Sequence, residues 1–128
     1  MSSALVWELI KKHNSFTRPA AKGGFALSAE PGNLLNKHSY KFSGLADTKT
    51  VAIAAEGDAV KFTVGRVKTA QQPKKSKHSV VIKKDGRAIL KAVGKQVASY
   101  RPDLKSAALA RASAVHKSIR VKKAKKSA

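Results

Sequence analysis

Side chains that commonly carry out catalysis are few in this sequence, and their spacing matches no catalytic motif. The four histidines, His13, His38, His78 and His116, show none of the short spacings that ligate a metal ion. No nucleophile motif surrounds a serine, and no phosphate loop of the Walker type is present. Only 7 acidic residues are available to form a carboxylate pair for acid and base catalysis. We therefore predict no enzyme, no metal site and no cofactor.

Basic side chains far outnumber acidic side chains in the sequence. Lysine and arginine number 27 against 7 acidic residues, which gives a formal net charge of +20. Such a chain repels itself and attracts polyanions, because lysine and arginine displace counterions from phosphates. Hydrophobic residues nevertheless make up 42% of the sequence, which favours a folded domain over a disordered basic tail.

The positive charge is concentrated in the second half of the chain. Residues 1–64 hold 8 basic and 5 acidic side chains, whereas residues 65–128 hold 19 and 2. After Asp103 no acidic residue follows, although surface helices usually alternate charges of opposite sign. We therefore expect the first half to be mainly scaffold and the second half to face an external polyanion.

The sequence also carries signals about its compartment. Cysteine is absent, so no disulfide or thiolate site is expected and nothing indicates an oxidising compartment. The N-terminal run MSSALVWELIKKH lacks the charged start of a signal peptide and the length of a membrane span. We expect an intracellular, soluble protein with a single domain, since 128 residues are too few for two well-buried cores.

Helical and strand signals follow one another in the first half. A helix capped by Ser2 or Ser3 is predicted at the N-terminus, and Asn14 suits its exit. Its apolar side chains lie four residues apart in two pairs, Leu5 with Leu9 and Val6 with Ile10. Short strands are then predicted in the aromatic runs NSFTR, GGFALSAE and HSYKFSGL, which turn residues separate.

A hairpin is the clearest strand prediction. In KTVAIAAEGDAVKFTVGRV, apolar residues alternate with small or polar ones on both sides of the turn Glu56-Gly57-Asp58, which predicts one buried face. The next run, RVKTAQQPKKSKH (residues 66–78), contains no acid and is interpreted as an exposed basic loop, or as two strand ends joined by one. A further strand is predicted in SVVIKK.

Two helices are predicted at the C-terminal end. The first starts at Asp85-Gly86 and carries an apolar stripe, opposite a row of cations at intervals of four. The second starts at Pro102, with Asp103 near the positive end of the helix dipole. The predicted stripes are Ile89, Val93, Val97 and Tyr100 in the first helix and Leu104, Ala108, Ala112, Val115 and Ile119 in the second. Ala107, Ala110 and Ala114 lie on the other side of the second helix, where a neighbour can approach closely.

The predicted fold class is α+β. It has an N-terminal helix, a small antiparallel sheet, two C-terminal helices and a flexible basic tail. We predict a single domain over residues 1–120 and a tail over residues 121–128, because the run KKAKKSA has no apolar pattern and buries nothing. Most aromatic residues follow the regular pattern of the strands and helices, and we assign five of them to the core: Trp7, Phe16, Phe25, Phe42 and Phe62.

Three segments resemble a known family. NSF at residues 14–16, FALSAEPGNLLNKHSYKFSGL at residues 25–45 and YRPDLKSAALARASA at residues 100–114 are similar to the eukaryotic large-subunit ribosomal protein family 28e. The resemblance extends from the N-terminal helix to about Arg120. It implies an α+β fold, a structural place in the large (60S) subunit of cytoplasmic ribosomes with assembly in the nucleolus, and no enzymatic activity. The implied partners are ribosomal RNA and neighbouring ribosomal proteins, with no membrane and no small-molecule substrate.

We predict that basic side chains of the loop, the helices and the tail bind the RNA, since arginine also grips phosphates with two bonds or stacks on bases. Tyr40, beside His38 and Lys41, is the aromatic residue assigned to the RNA side. The full predicted set is Arg18, Lys37, His38, Tyr40, Lys41, Arg66, Lys68, Lys74, Lys75, Lys77, Lys83, Lys84, Arg87, Lys91, Lys95, Arg101, Arg111, Lys117, Arg120, Lys122, Lys123, Lys125 and Lys126.

Other interpretations of the charge remain open at this point. The lysine clusters could form a solvated surface that keeps the protein soluble, and the α-helical cations could be an ordinary polar face. The rival function is a linker-histone-like chromatin protein that binds DNA, because KKAKKSA has the texture of a histone tail. The predicted strands and the short tail disfavour it. An enzyme that acts on RNA is a more distant alternative.

Overall fold

The computed structural model describes residues 1–20 and 22–128. Three α-helices and five strands are present in this part of the chain: α1 (Ser3–Ile10), β1 (Thr17–Arg18), β2 (Leu27–Ser28), β3 (Val51–Glu56), β4 (Ala59–Gly65), β5 (Lys77–Ile82), α2 (Gly86–Tyr100) and α3 (Lys105–Ser127). Two short 3-10 turns, Val67–Thr69 and Pro102–Leu104, precede β5 and α3. The α+β fold class is confirmed, with two small antiparallel sheets where the sequence predicted one.

Polar side chains define both ends of α1. The hydroxyl oxygen of Ser2 accepts a hydrogen bond from the backbone N–H of Leu5 at 3.3 Å, so the predicted cap is confirmed. After the helix, the Asn14 side-chain oxygen accepts hydrogen bonds from the N–H groups of Phe16 (3.0 Å) and Thr17 (2.9 Å). Its amide nitrogen donates to the carbonyl of Ile10 at 3.2 Å. Asn14 therefore turns the chain from α1 into β1.

The small sheet of the first half has two strands of only two residues each. Thr17 pairs with Ser28 and Arg18 with Leu27 in β1 and β2. The third predicted strand, HSYKFSGL, is wrong, because residues 38–45 form turns. There Ser43 accepts a hydrogen bond from the N–H of Ala46 at 3.2 Å, and such local bonds compete with a strand ladder.

The predicted hairpin is confirmed in β3 and β4. Its register runs from Val51 opposite Val64 to Glu56 opposite Ala59, which leaves a two-residue turn. Gly57 opens that turn with φ of 58°, a left-handed conformation that glycine adopts without strain. The sheet is completed by β5, which pairs with β4 from Lys77 opposite Gly65 to Ile82 opposite Val60.

The core lies between one face of this sheet and the C-terminal helices. α3 packs against β3, β4 and α2. In the hairpin the alternating apolar residues are buried as predicted, except that Val64 is half-buried. In α2 the predicted stripe is buried except for Tyr100, which is half-buried. Of the second predicted stripe, Leu104 in the 3-10 turn and Ala108, Ala112 and Ile119 in α3 are buried, and Val115 is half-buried. Small alanine side chains let α3 lie close to its neighbours, and Ala107 is buried as well, whereas Ala110 and Ala114 are exposed.

One core assignment of the first half is wrong. Phe25 is 82% exposed, and the ammonium group of Lys37 lies 5.8 Å from the centre of its ring. Leu5 and Leu9 are also about half exposed, and α1 buries no residue completely. Phe62 is buried, while Trp7, Phe16 and Phe42 are half-buried. Residues 1–50, called the first region from here on, therefore have little core of their own.

The predicted flexible tail is helical. α3 continues without interruption to Ser127, although its last buried residue is Ile119. Alanine and lysine both favour helix, so the helix propagates beyond the core. Residues 121–128 are all exposed and, as expected, bury nothing.

Candidate nucleic-acid interface

The basic loop, defined from here on as residues 66–76, is anchored at both ends to the larger sheet. The N–H of Arg66 donates to the carbonyl of Ser76 at 2.7 Å, directly beside the last pair of the β4–β5 ladder. Lys77 and His78 belong to β5, so the interpretation as two strand ends joined by a loop is the correct one. The ladder thus holds the base of the loop rigidly.

Hydrogen bonds also shape the loop from within. The Thr69 hydroxyl donates to the carbonyl of Lys75 at 2.8 Å, and the N–H of Lys75 donates to the carbonyl of Gln72 at 2.9 Å. Both bonds use backbone atoms of Lys75, so its ammonium group stays exposed. The cations of the loop and of the adjoining strand are Arg66, Lys68, Lys74, Lys75 and Lys77, all of them exposed.

A second group of cations lies along α2. Arg87, Lys91 and Lys95 are exposed on the face opposite the buried stripe, and successive members are about 6 Å apart along the helix axis. Lys83 and Lys84 continue this exposed charge in the segment between β5 and α2. The predicted row of cations on this helix is confirmed as a solvent-facing row.

The third group follows the last turns of α3. Its exposed members are Lys117, Arg120, Lys122, Lys123, Lys125 and Lys126. Arg111, nearer the start of the helix, is half-buried and lines a groove of about 320 Å³ with Glu30 and Asn33 of the first region. Arg111 is therefore less accessible to a large partner than the cations of the helix end.

Arg101 has a different environment from the other predicted cations. Its side chain is only 13% exposed and lies between Asp103 (2.8 Å) and Asp47 (3.3 Å). It also donates to the backbone carbonyls of Lys49 (3.0 Å) and Lys41 (3.3 Å). Because internal acceptors occupy the guanidinium group, we remove Arg101 from the candidate RNA contacts and assign it a structural role.

The charges of this cluster support one another. Burial opposes the charge of Arg101, but the hydrogen bond that it donates to Asp103, together with the charges of Asp103 and Asp47, raises its pKa. The same hydrogen bond lowers the pKa of Asp103, against a smaller opposing effect of burial. Beside them, burial raises the pKa of the Tyr100 hydroxyl, with the charge of Asp47 adding to the effect.

Most of the remaining cations have no acidic partner. Among residues 1–20 and 22–128, ion pairs form between Lys11 and Glu8, between Lys61 and Glu56, and between Arg101 and its two aspartates. None of these pairs involves the basic loop, the α2 row or the end of α3. The positive charge on these three elements is therefore uncompensated within the described part of the protein.

The predicted residues of the first half form a separate aromatic cluster. The Trp7 ring centre lies 5.0 Å from that of His38 and 6.2 Å from that of Tyr40. The Tyr40 hydroxyl is 2.6 Å from the hydroxyl of Ser3, so Tyr40 and His38 help to hold α1. Of the other predicted residues here, Arg18, Lys37 and Lys41 are exposed, and the Lys41 ammonium lies 5.4 Å from the Phe42 ring centre.

Sequence reasoning missed the exposure of Phe25 beside Lys37. The preceding Gly23-Gly24 pair was a usable signal, because two glycines in succession favour a loop over a strand that would bury the ring. Elsewhere in the described chain, no three histidine or acidic side chains gather as metal ligands. No described helix is long and apolar enough to cross a membrane.

Comparison with known proteins identifies the family. The profile of the ribosomal L28e protein family matches residues 5–118. The large ribosomal subunit protein eL28 of Dictyostelium discoideum is 40% identical over 121 residues, which cover 94% of this chain and 90% of the relative. The eL28 protein of Schizosaccharomyces pombe is 34% identical over 130 residues (96% of each chain), and that of Trypanosoma cruzi 30% over 111 residues (87% and 73%).

The matches reject one of the interpretations left open by the charge. They cover the sheets and helices as well as the basic segments, which a resemblance of lysine-rich composition alone would not do. A linker-histone-like protein would not share a family over these strands, so that alternative is rejected. The chain belongs to the ribosomal L28e protein family, a family of ribosomal proteins.

Proposed function

We propose that this protein is a structural constituent of the large ribosomal subunit that binds ribosomal RNA and performs no catalysis. Family membership supports the ribosomal role, since the relatives are named as proteins of the large subunit. The observation that carries the RNA-binding role is the uncompensated charge of the basic loop, the α2 row and the end of α3. Phosphates supply the negative charge that the protein itself lacks.

The mechanism is electrostatic and positional. Each lysine or arginine that neutralises a phosphate releases counterions, so each contact adds roughly 0.7 to 0.9 to the slope of log affinity against log salt. The folded body, residues 1–120, fixes the position of the three cationic elements. The exposed end of α3, residues 121–128, and the basic loop extend from that body and reach between RNA helices.

The two halves of the chain contribute differently to binding under this proposal. The second half contacts ribosomal RNA through the exposed cations described above, and the exposed Arg18, Lys37 and Lys41 of the first half remain candidate RNA contacts. The first half carries exposed apolar side chains, among them Leu5, Leu9 and Phe25. Such a surface suits neighbouring ribosomal proteins. The protein would then act on cytoplasmic ribosomes after assembly into the subunit in the nucleolus.

Sedimentation tests the proposal directly. The tagged full-length protein is followed through a cell-lysate gradient, with and without a high-salt wash. We expect it to migrate with the large subunit and to remain there after the wash, because many simultaneous contacts dissociate slowly. Release by salt, or migration with chromatin or at the top of the gradient, would contradict an integral ribosomal role.

A further inference from the structure

A groove of about 480 Å³ lies at the base of the basic loop, between the end of β4, the first 3-10 turn and the last turn of α2. Its volume falls within the range of about 300 to 1,000 Å³ that is usual for small-ligand sites. The walls are mainly apolar and include Val64, Val67 and Tyr100. The phosphate contacts proposed above for the basic loop do not explain these apolar walls.

The walls of the groove are held in place from two sides. The Tyr100 hydroxyl donates a hydrogen bond to the carbonyl of Gly65 at 2.6 Å, which fixes the aromatic ring between α2 and β4. Val67 lies on the 3-10 turn and is 51% exposed, so its side chain is not needed by the core. The Tyr100 ring and the Val67 side chain thus line an open groove, and the backbone around the groove is anchored.

The rim of the groove is cationic. Arg66 and Lys68 line the groove. His78 lies beside them, and its Nδ1 atom is 3.2 Å from a guanidinium nitrogen of Arg66. None of the residues that line the groove is acidic. The groove therefore suits a ligand that combines an apolar, flat part with a negative charge.

We propose that this groove binds one unpaired nucleotide of RNA, with the base against Val67 and Tyr100 and the phosphate on Arg66 and Lys68. Unpaired bases commonly stack on aromatic side chains, and arginine holds the adjoining phosphate. An acidic peptide would satisfy the rim but would leave the apolar walls uncovered. The inference rests on the proposed RNA-binding function and adds to it the recognition of a single-stranded element.

A matched pair of variants tests the groove. Val67→Asp places a negative charge in the groove, and Val81→Asp places the same charge on β5 at a position that is 53% exposed and outside the groove. The full-length proteins are titrated with labelled octauridylate and with a fully paired RNA hairpin at one salt concentration. Melting temperatures confirm that both variants fold.

We expect Val67→Asp to bind octauridylate at least about fivefold more weakly than Val81→Asp, because a base loses its stacking surface. The two variants should bind the paired RNA equally. Equal affinities of the variants for octauridylate would overturn the groove while leaving the proposed RNA-binding function intact. If the unaltered protein bound neither RNA, that function would fail as well.

A second measurement separates the base from the phosphate. Uridine monophosphate should shift the amide NMR signals of residues 65–69 more than inorganic phosphate does at the same concentration. Equal shifts would reduce the groove to a phosphate site and overturn the nucleotide assignment. If Val67→Asp instead impaired incorporation into subunits without any change in RNA affinity, the groove would be a protein contact, which also contradicts the proposal.

Discussion

The first 50 residues and the remainder of the chain are stabilised in different ways. In residues 1–50, turns depend on side-chain hydrogen bonds such as those of Asn14, and aromatic rings pack around Trp7 near the surface. In residues 51–128, long regular elements bury a continuous core and leave their cations unpaired. On α2, burial of the opposite face offsets the cost of the self-repelling charge, whereas the end of α3 carries its cations beyond the last buried residue, Ile119.

Arg101 joins these two regions. It belongs to the junction between α2 and α3, but its partners Asp47, Lys41 and Lys49 lie in the turns of the first region. The same residue type therefore has two roles in this molecule. Arg87 on α2 remains exposed to solvent, whereas Arg101 connects the turns to the core.

The largest expected effect tests where the core lies. Leu104 is 3% exposed, so Leu104→Ala should lower the free energy of unfolding by about 2–5 kcal/mol through the cavity it leaves. Leu5→Ala is the matched control on half-exposed α1 and should cost much less. Urea denaturation measures both. Equal losses would show that the first region contributes as much core as the second.

The next effect tests the connection through Arg101. Arg101→Ala should cost about 1.5–3 kcal/mol, because the charged hydrogen bonds to both aspartates are lost and carbonyls of the turns lose their donor. Arg87→Ala, which removes an exposed arginine of α2, should change stability by less than about 0.5 kcal/mol. Thermal melts compare the two variants, and similar melting temperatures would contradict the structural role of Arg101.

A third prediction concerns binding rather than stability. The double variant Lys74→Glu with Lys75→Glu should lower incorporation into large subunits, and its salt slope for RNA should fall by roughly 1.4 to 1.8 because two phosphate contacts are lost. The melting temperature should not fall, since both side chains are exposed. Lys12→Glu with Lys22→Glu makes the same charge change in the first half. An equal loss of incorporation in this control would show that only net charge matters.

The smallest effect depends on pH. The hydrogen bond from Arg101 lowers the pKa of Asp103 below its ordinary value of 3.8 in the folded protein. The resulting stabilisation is present above that value and is lost as the pH falls through the folded-state pKa. Asp103→Asn should therefore be less stable than the unaltered protein at pH 6, and the difference should shrink as the pH falls below 3.8 through the folded-state pKa. A difference that persists unchanged into acid would rule out this linkage.

Prediction from the sequence succeeded where periodicity decides the structure. The hairpin, both C-terminal helices and their buried stripes follow from alternation at intervals of two or about 3.6 residues, which a single segment displays. The exposed cations of α2 were identifiable for the same reason, because a residue opposite a buried stripe faces solvent. Their contacts with RNA remain predictions.

Prediction failed where the structure of a segment depends on contacts with distant residues or on competing local hydrogen bonds. The partners of Arg101 lie 54 and 60 residues earlier in the chain, and no local pattern relates them. The run HSYKFSGL has the composition of a strand, but side-chain hydrogen bonds such as that of Ser43 favour turns. Phe25 is apolar, yet the small sheet of the first region offers no surface to bury it. The end of α3 was predicted to be flexible from its lack of apolar residues, although helix propensity alone continues the helix.

The position of α3 over β3 and β4 has a consequence for biosynthesis. A chain emerges from the ribosome starting at its N-terminus, so the hairpin is available well before the helix that covers it. Until Lys105–Ser127 is synthesised, the core face with Val51, Ile53, Val60 and Phe62 has no cover and can associate with other chains. Many nearby lysines repel similar chains during this interval. We therefore expect the charge that is proposed to bind phosphates to protect the nascent protein from aggregation as well.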